Sequence, residues 1–143
     1  MREIVLDTET TGLSPQNGDR VVEIGCVELI NHIATGKTYQ TYLNPQKLME
    51  PSAEEVHGLS NDFLKDQPLF EEIFRDFLDF ISDSPLIIHN ADFDIGFLNS
   101  ELKRVSQIEL NIDNAIDTLK IARQKFPGAQ NSLDALCRRF NIT

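Results

Sequence analysis

At 143 residues, 41% of them hydrophobic, the chain has the size of one domain and can close one core. Its formal net charge of −10 argues against binding nucleic acid through broad basic patches, but not against meeting phosphates through bound cations. No apolar run approaches the ~20 residues of a membrane span; MREIVLD at the start lacks a secretory pattern, and Cys26 and Cys137 lack metal-ligand spacing, which reads as reduced thiols in a cytoplasmic protein.

REIVLDTE reads as a first strand, β-branched and apolar. SPQNGD, residues 14–19, is turn chemistry, and RVVEIGCVELI is a second strand. NHIATGK then turns and TYQTYLN is a third strand, so the short connections predict an antiparallel meander. In PSAEEVHG, Ser52 and Glu55 have the spacing of a capping box for a short helix. PLFEEIFRDFLDFI carries a helical apolar stripe, and PLIIH is a short, wholly apolar run suited to a central parallel strand. DFDIGFLNSELKRV is an amphipathic helix, NAIDT a short strand and TLKIARQKF a helix broken by Pro127 and Gly128. NSLDALCRRF is a last helix, with Asn131 or Ser132 as cap and two arginines in its final turn. The sum is a mixed α/β sheet with helices packed on it.

Two acid clusters stand where apolar strands end. Side chains two apart on a strand share a face, so Asp7 and Glu9 point together if the first strand runs to residue 9. Such a pair repels itself and resists desolvation; a hard divalent cation removes both costs. In IIHNADFDIGF, residues 87–97, a second apolar strand passes into a helix whose first turn holds Asp94. Either cluster alone has a plain explanation, a solvated turn for the first and helix-dipole pairing or capping by Asn90 or Asp92 for the second. If the two strands are parallel neighbours, Asp7, Glu9 and Asp94 converge, as two-metal phosphoryl chemistry requires. Among the histidines, His32 falls in a hairpin turn, His89 ends a core strand as a structural residue, and His57 either reaches a ligand or caps its helix. No Ser-His-Asp order, P-loop or zinc spacing occurs.

Taken together, DTETTGL, VHGLS, HNADFDIGF and FPGAQNSLDALCRRFNI resemble the DEDDh group of 3′→5′ exonucleases and, within it, the epsilon (proofreading) subunits of bacterial DNA polymerase III. The likeness covers nearly the whole chain. DTETTGL is shared across the superfamily, whereas the FPG…NSLDALCRRF end is more specific to the polymerase subunits. The resemblance implies a ribonuclease H-like fold, three antiparallel strands followed by parallel ones. It implies Asp7 and Glu9 as first-motif metal ligands, also contacting substrate, and Asp94, not the variable Asp92, as the second-motif catalytic aspartate. Two divalent cations, Mg²⁺ or Mn²⁺, are implied with them. His57 matches a residue that contacts the terminal nucleotide, and Ser52 a contact position filled by various residue types.

The implied reaction is proofreading during DNA replication: hydrolysis of the terminal phosphodiester at a single-stranded or frayed DNA 3′ end, releasing nucleoside 5′-monophosphates. The implied partners are the polymerase (alpha) subunit and a small accessory subunit. The family's general-base histidine and fourth acid belong to a third motif shortly after the helix that ends at Phe140. No histidine follows His89, and Asp134 lies within the last helix. Residues 1–143 therefore read as an exonuclease domain incomplete at its C-terminus, weak or inactive alone. The rival readings are an RNA or oligonucleotide exonuclease of the same superfamily and a non-catalytic replisome interaction module.

Overall fold

In the computed structural model, residues 1–142 are described. Three antiparallel strands open the chain: β1 (Arg2–Thr10), β2 (Val21–Ile30) and β3 (Ile33–Tyr42). β4 (Leu86–Ile88) pairs in parallel with β1, and β5 (Ala115–Asp117) in parallel with β4. The strand order β3-β2-β1-β4-β5 puts β1 at the centre with β4 as its parallel neighbour, which meets the condition under which the two acid clusters converge. The helices are α1 (Pro51–His57), α2 (Asn61–Leu64), α3 (Phe70–Ile81), α4 (Ala91–Val105), α5 (Thr118–Lys125) and α6 (Leu133–Arg139).

One core unites the sheet with α3 and α4. Ile4 and Leu6 of β1 and Leu86 and Ile88 of β4 face the buried sides of Phe77, Phe97 and Leu98. Inside that contact lies a charged rivet. Arg20, just before β2, donates twice to Glu101 of α4, both bonds at 2.7 Å, and the Val21 N–H adds a third at 3.1 Å. Glu101 is only 2% exposed, so this bidentate pairing is what makes its burial tolerable. It fixes α4, and with it the start of the helix, against the sheet.

Three local expectations are corrected. The turn expected over residues 31–37 is only Asn31–His32, both with positive φ, and β3 already begins at Ile33. Gly36 is not part of that turn: at φ +91° it sits where the β2–β3 register slips between Val27 and Leu29, as a bulge glycine does. Ser52 and Glu55 form no capping box. α1 starts two residues earlier than a Ser52 cap would place it, because the fixed φ and missing N–H of Pro51 suit a first helical position, and Glu50 precedes it without a side-chain cap. Unread in the sequence was α2, a single turn capped by Ser60, whose Oγ accepts from the Phe63 N–H. The other strands and helices stand within a few residues of their expected bounds.

Candidate active site

β1 delivers Asp7 and Glu9 to its C-terminal end, on the face opposite buried Leu6, Thr8 and Thr10. The β1–β2 register sets Glu23 directly across from Glu9, an unfavourable like-charge pair that sequence reading missed. Burial raises the Glu9 pKa, and the charges of Asp7 and Glu23 raise it further. Asp7 is also raised, first by burial, against the Thr8 backbone N–H; Glu23 adds to the rise and nearby His89 opposes it. Asp7 keeps contact with solvent, so water screens part of this.

Asp94 lies in the first turn of α4 and is 4% exposed. The Thr8 hydroxyl donates to its Oδ1 at 2.9 Å, while Oδ2 is buried with no partner. Burial pushes its pKa up to about 7; the Thr8 bond opposes this, and the charges of Asp7, Glu9 and Asp117 add to it. The three predicted carboxylates thus stand at the adjoining ends of β1 and β4, with Thr8, between Asp7 and Glu9 in the chain, bonded to Asp94. Among the described residues no three His, Cys, Asp or Glu side chains close around a single point as a metal cage. Mg²⁺ does not need one, since it keeps several waters and binds through one or two carboxylates plus substrate phosphate. The orphaned Asp94 oxygen and the mutual repulsion are the features a cation would relieve.

A test of this strain needs no metal. With chelator present, Asp94→Asn is expected to raise stability at pH 8, with most of the gain gone near pH 4. The wild-type carboxyl holds its proton up to about 7 when folded, against an ordinary value of 3.8. The folded state therefore binds more protons, and stability falls as pH climbs between those two values. The gain above pH 7 is bounded at about 4 kcal/mol, and asparagine keeps an acceptor for Thr8. Denaturant melts in EDTA across pH measure it; equal stability of the two proteins at pH 8 would remove the strain.

The start of α4 is held from a distance. Asn90 precedes it at φ +69° and makes no side-chain cap. Asp117, at the end of β5, takes that role: its carboxylate accepts from the backbone N–H of Asn90 and Ala91, both at 3.1 Å, and from Leu119 and Lys120 at the start of α5. Burial works to raise its pKa, but these four bonds prevail and lower it. One ionised side chain thus anchors two helix N-termini and sets the turn that carries Asp94. The sequence signal was an acid directly before a helical run, legible as a cap for α5 but not for α4.

The loop after the acids is pinned as firmly. Asp19 accepts from the Thr11 hydroxyl and Lys47, each at 2.9 Å, and from the Ser14 N–H at 3.1 Å. A Cβ on Gly12 would overlap the Asp19 carboxylate that these bonds hold in place, so only glycine lets the loop close here. His57 joins α1 to this loop. The Leu59 N–H donates to its Nδ1 at 3.1 Å, so in the neutral ring Nε2 carries the hydrogen and meets the Thr10 carbonyl at 3.2 Å. His89 is likewise occupied, by the Asn131 carbonyl at 2.8 Å and Thr118 Oγ1 at 2.9 Å, the structural role expected of it. His32 is exposed at the β2–β3 hairpin, with Nδ1 3.0 Å from Glu3. Ser52 is exposed on α1 and touches none of the acids by a hydrogen bond.

The profile of the Exonuclease (RNase_T) family matches residues 4–143. The chain belongs to the Exonuclease family. Membership of this superfamily implies use of a divalent metal. The chain is 57% identical over 145 residues to the DNA polymerase III subunit epsilon of Rickettsia prowazekii, an alignment covering 99% of this chain and 63% of that protein. It therefore spans less than two thirds of that relative's length. Exonuclease X, solved in complex with 5′-overhanging duplex DNA, matches at a TM-score of 0.73 and 26% identity over 97% of this chain and 73% of its own. The metal-free E. coli ExoI–ssDNA complex matches at a TM-score of 0.84 over 99% of this chain and 36% of its own; at 16% identity it shows the shared ribonuclease H-like fold alone. No helix among the described residues is long and apolar enough to cross a membrane.

Proposed function

We propose that the chain is the nuclease part of a 3′→5′ DNA exonuclease that removes misinserted nucleotides during replication, hydrolysing the terminal phosphodiester to release nucleoside 5′-monophosphates. The observation that carries this reading is the gathering of Asp7, Glu9 and Asp94 at two parallel strand ends, with one buried carboxylate oxygen unpartnered. These three side chains would hold two Mg²⁺ or Mn²⁺ ions. When bound, the ions supply Lewis-acid polarisation and charge neutralisation at the phosphoryl group. Thr8 orients Asp94 through Oδ1 and leaves Oδ2 for the site.

The terminal nucleotide is read by α1 and the β1 loop. His57 and Ser52 contact it, and Asp7 and Glu9 face its phosphate. Leu13 and Val56, 85% and 80% exposed, offer apolar surface to the base. Leu13 follows the loop that the Glu50 N–H joins to α1 through the Thr11 carbonyl, and Val56 adjoins His57. His57 donates rather than accepts at Nε2, which suits a contact better than a base. The general-base histidine and a fourth acid are proposed to lie outside residues 1–143. The relatives are named as subunits of DNA polymerase III, which supports assembly with the polymerase subunit; a small accessory subunit and a cytoplasmic location are part of the same proposal.

The test is a 5′-labelled single-stranded DNA with the full-length protein and Mn²⁺. Shortening from the 3′ end with mononucleotide products is expected. Release of dinucleotides, or attack from the 5′ end, would overturn the reading. Faster release from RNA of the same sequence would move it to the RNA exonucleases.

A further inference from the structure

The whole-chain charge conceals a local asymmetry. Residues 118–143 hold five of the 13 basic side chains and one of the 23 acidic ones. This stretch contains α5 and α6, beyond the β5 edge of the sheet. Between α5 and the start of α6 lies a groove of about 760 Å³ whose walls include His89, Asn90, Arg123, Asn131 and Ser132. His89 and Asn90, which line it, connect β4 to the helix turn that carries Asp94, so the groove lies beside the end of β4 from which that turn starts.

Its walls are built rather than loose. Besides the bond from His89, Asn131 accepts from Arg139 at 3.1 Å and donates to the Phe126 carbonyl at 3.2 Å. The Arg139 guanidinium lies 4.4 Å from the centre of the Phe126 ring. Arg139 is thus committed to holding the loop. Lys120 and Arg123 are exposed and belong to no ion pair among the described residues. Three apart on α5, they are neighbours on the helix surface.

We propose that this groove carries the sugar-phosphate backbone of a single strand just upstream of its 3′-terminal nucleotide, with Arg123 and Lys120 meeting its phosphates. The proposal rests on the exonuclease reading and extends it to the part of the strand that is not cut. Cations held by the acids neutralise the scissile phosphate only. The phosphates behind it would otherwise approach a protein of net charge −10, and this is the flank where basic side chains outnumber acids and stand unpaired.

The experiment compares wild type, Arg123→Ala, Arg123→Glu and a control, Lys37→Glu, in the full-length protein. Lys37→Glu makes the same charge change on exposed β3, at the opposite sheet edge. Binding of a fluorescent oligothymidylate of about ten nucleotides is followed by anisotropy in Ca²⁺ over a salt series, and binding of thymidine 5′-monophosphate by calorimetry. Arg123→Glu is expected to weaken the oligomer by about 10-fold or more and to flatten the log K–log salt slope by about 0.7 for each phosphate no longer neutralised. Arg123→Ala should do the same more mildly, while monophosphate binding and the control stay within about twofold of wild type. Unchanged oligomer binding in both Arg123 variants would overturn the proposal, as would equal loss of oligomer and monophosphate, which marks a support role for the site. A wild-type protein that binds neither ligand would overturn the exonuclease reading itself.

Discussion

Asp7→Ala in the full-length protein is expected to lower nucleotide release at saturating Mg²⁺ by roughly three orders of magnitude or more while leaving the fold intact. The size follows from the several kcal/mol by which a bound ion stabilises transition-state charge, about 4 kcal/mol being a factor of about a thousand. The fold should survive because Asp7 is exposed and faces away from the core, whose β1 contributions are Ile4 and Leu6. Among the described residues it makes no side-chain hydrogen bond to another element whose loss would leave a buried partner stranded. Removing its charge also relieves Glu9 and Asp94, both of which it raises. In chelator the variant should therefore melt at the same temperature as wild type or a few degrees higher, the gain expected from relieving about 1 kcal/mol. Circular dichroism, melting and turnover measured together separate the outcomes. A lower melting temperature with lost activity would assign Asp7 to structure, and near-normal turnover would remove it from the mechanism.

What the sequence made legible follows from what is local in the physics. β1 could be read because its run of β-branched and apolar residues suits a strand, β4 because it is a short, wholly apolar run at the centre of the sheet, and α3 because its apolar stripe repeats with the helical period. Asp7, Glu9 and Asp94 could be read because each stands at the end of such an element. The errors arose where two local signals competed. Gly36 looked like part of a turn although its positive φ serves a bulge, and Ser52 looked like a cap although Pro51 starts the helix. α2, one turn long, has no period to detect. The rest depended on pairs far apart in the chain. Glu23 enters the acid cluster through a ladder register, Thr8 meets Asp94 across 86 positions, and Asp117 caps α4 from 26 to 27 residues away. These supporting contacts decide the geometry of the site, and none has a spacing that a one-dimensional reading can recognise.

The 143-residue chain assayed alone is expected to release monophosphates some 10²–10⁴-fold more slowly than a chain of the relatives' full length, the usual range for loss of a general base. Each described histidine has a reason not to serve. His57 and His89 have both ring nitrogens engaged, and His32 sits at the hairpin between β2 and β3, beside the residues that pair with the start of β1. Freeing either of the engaged rings would break a bond that holds the β1 loop or the wall behind β4. A second consequence concerns surface. Val5 pairs with Val27 on one side and Ile87 on the other, and Ile87 with Ile116, so an apolar row crosses four strands on the face opposite the core. Val5, Val27 and Ile116 are each more than a third exposed. A row of this kind favours self-association, and the longer chain is expected to shield it. Both chains should therefore be assayed side by side on single-stranded DNA with Mn²⁺, with light scattering on the same samples. Slow release and larger particles from the short chain alone are the expected pair of results. Comparable release from both would place the base among His32, His57 and His89, and His57, whose ring meets the carbonyl of Thr10 next to Glu9, would then be the first to substitute.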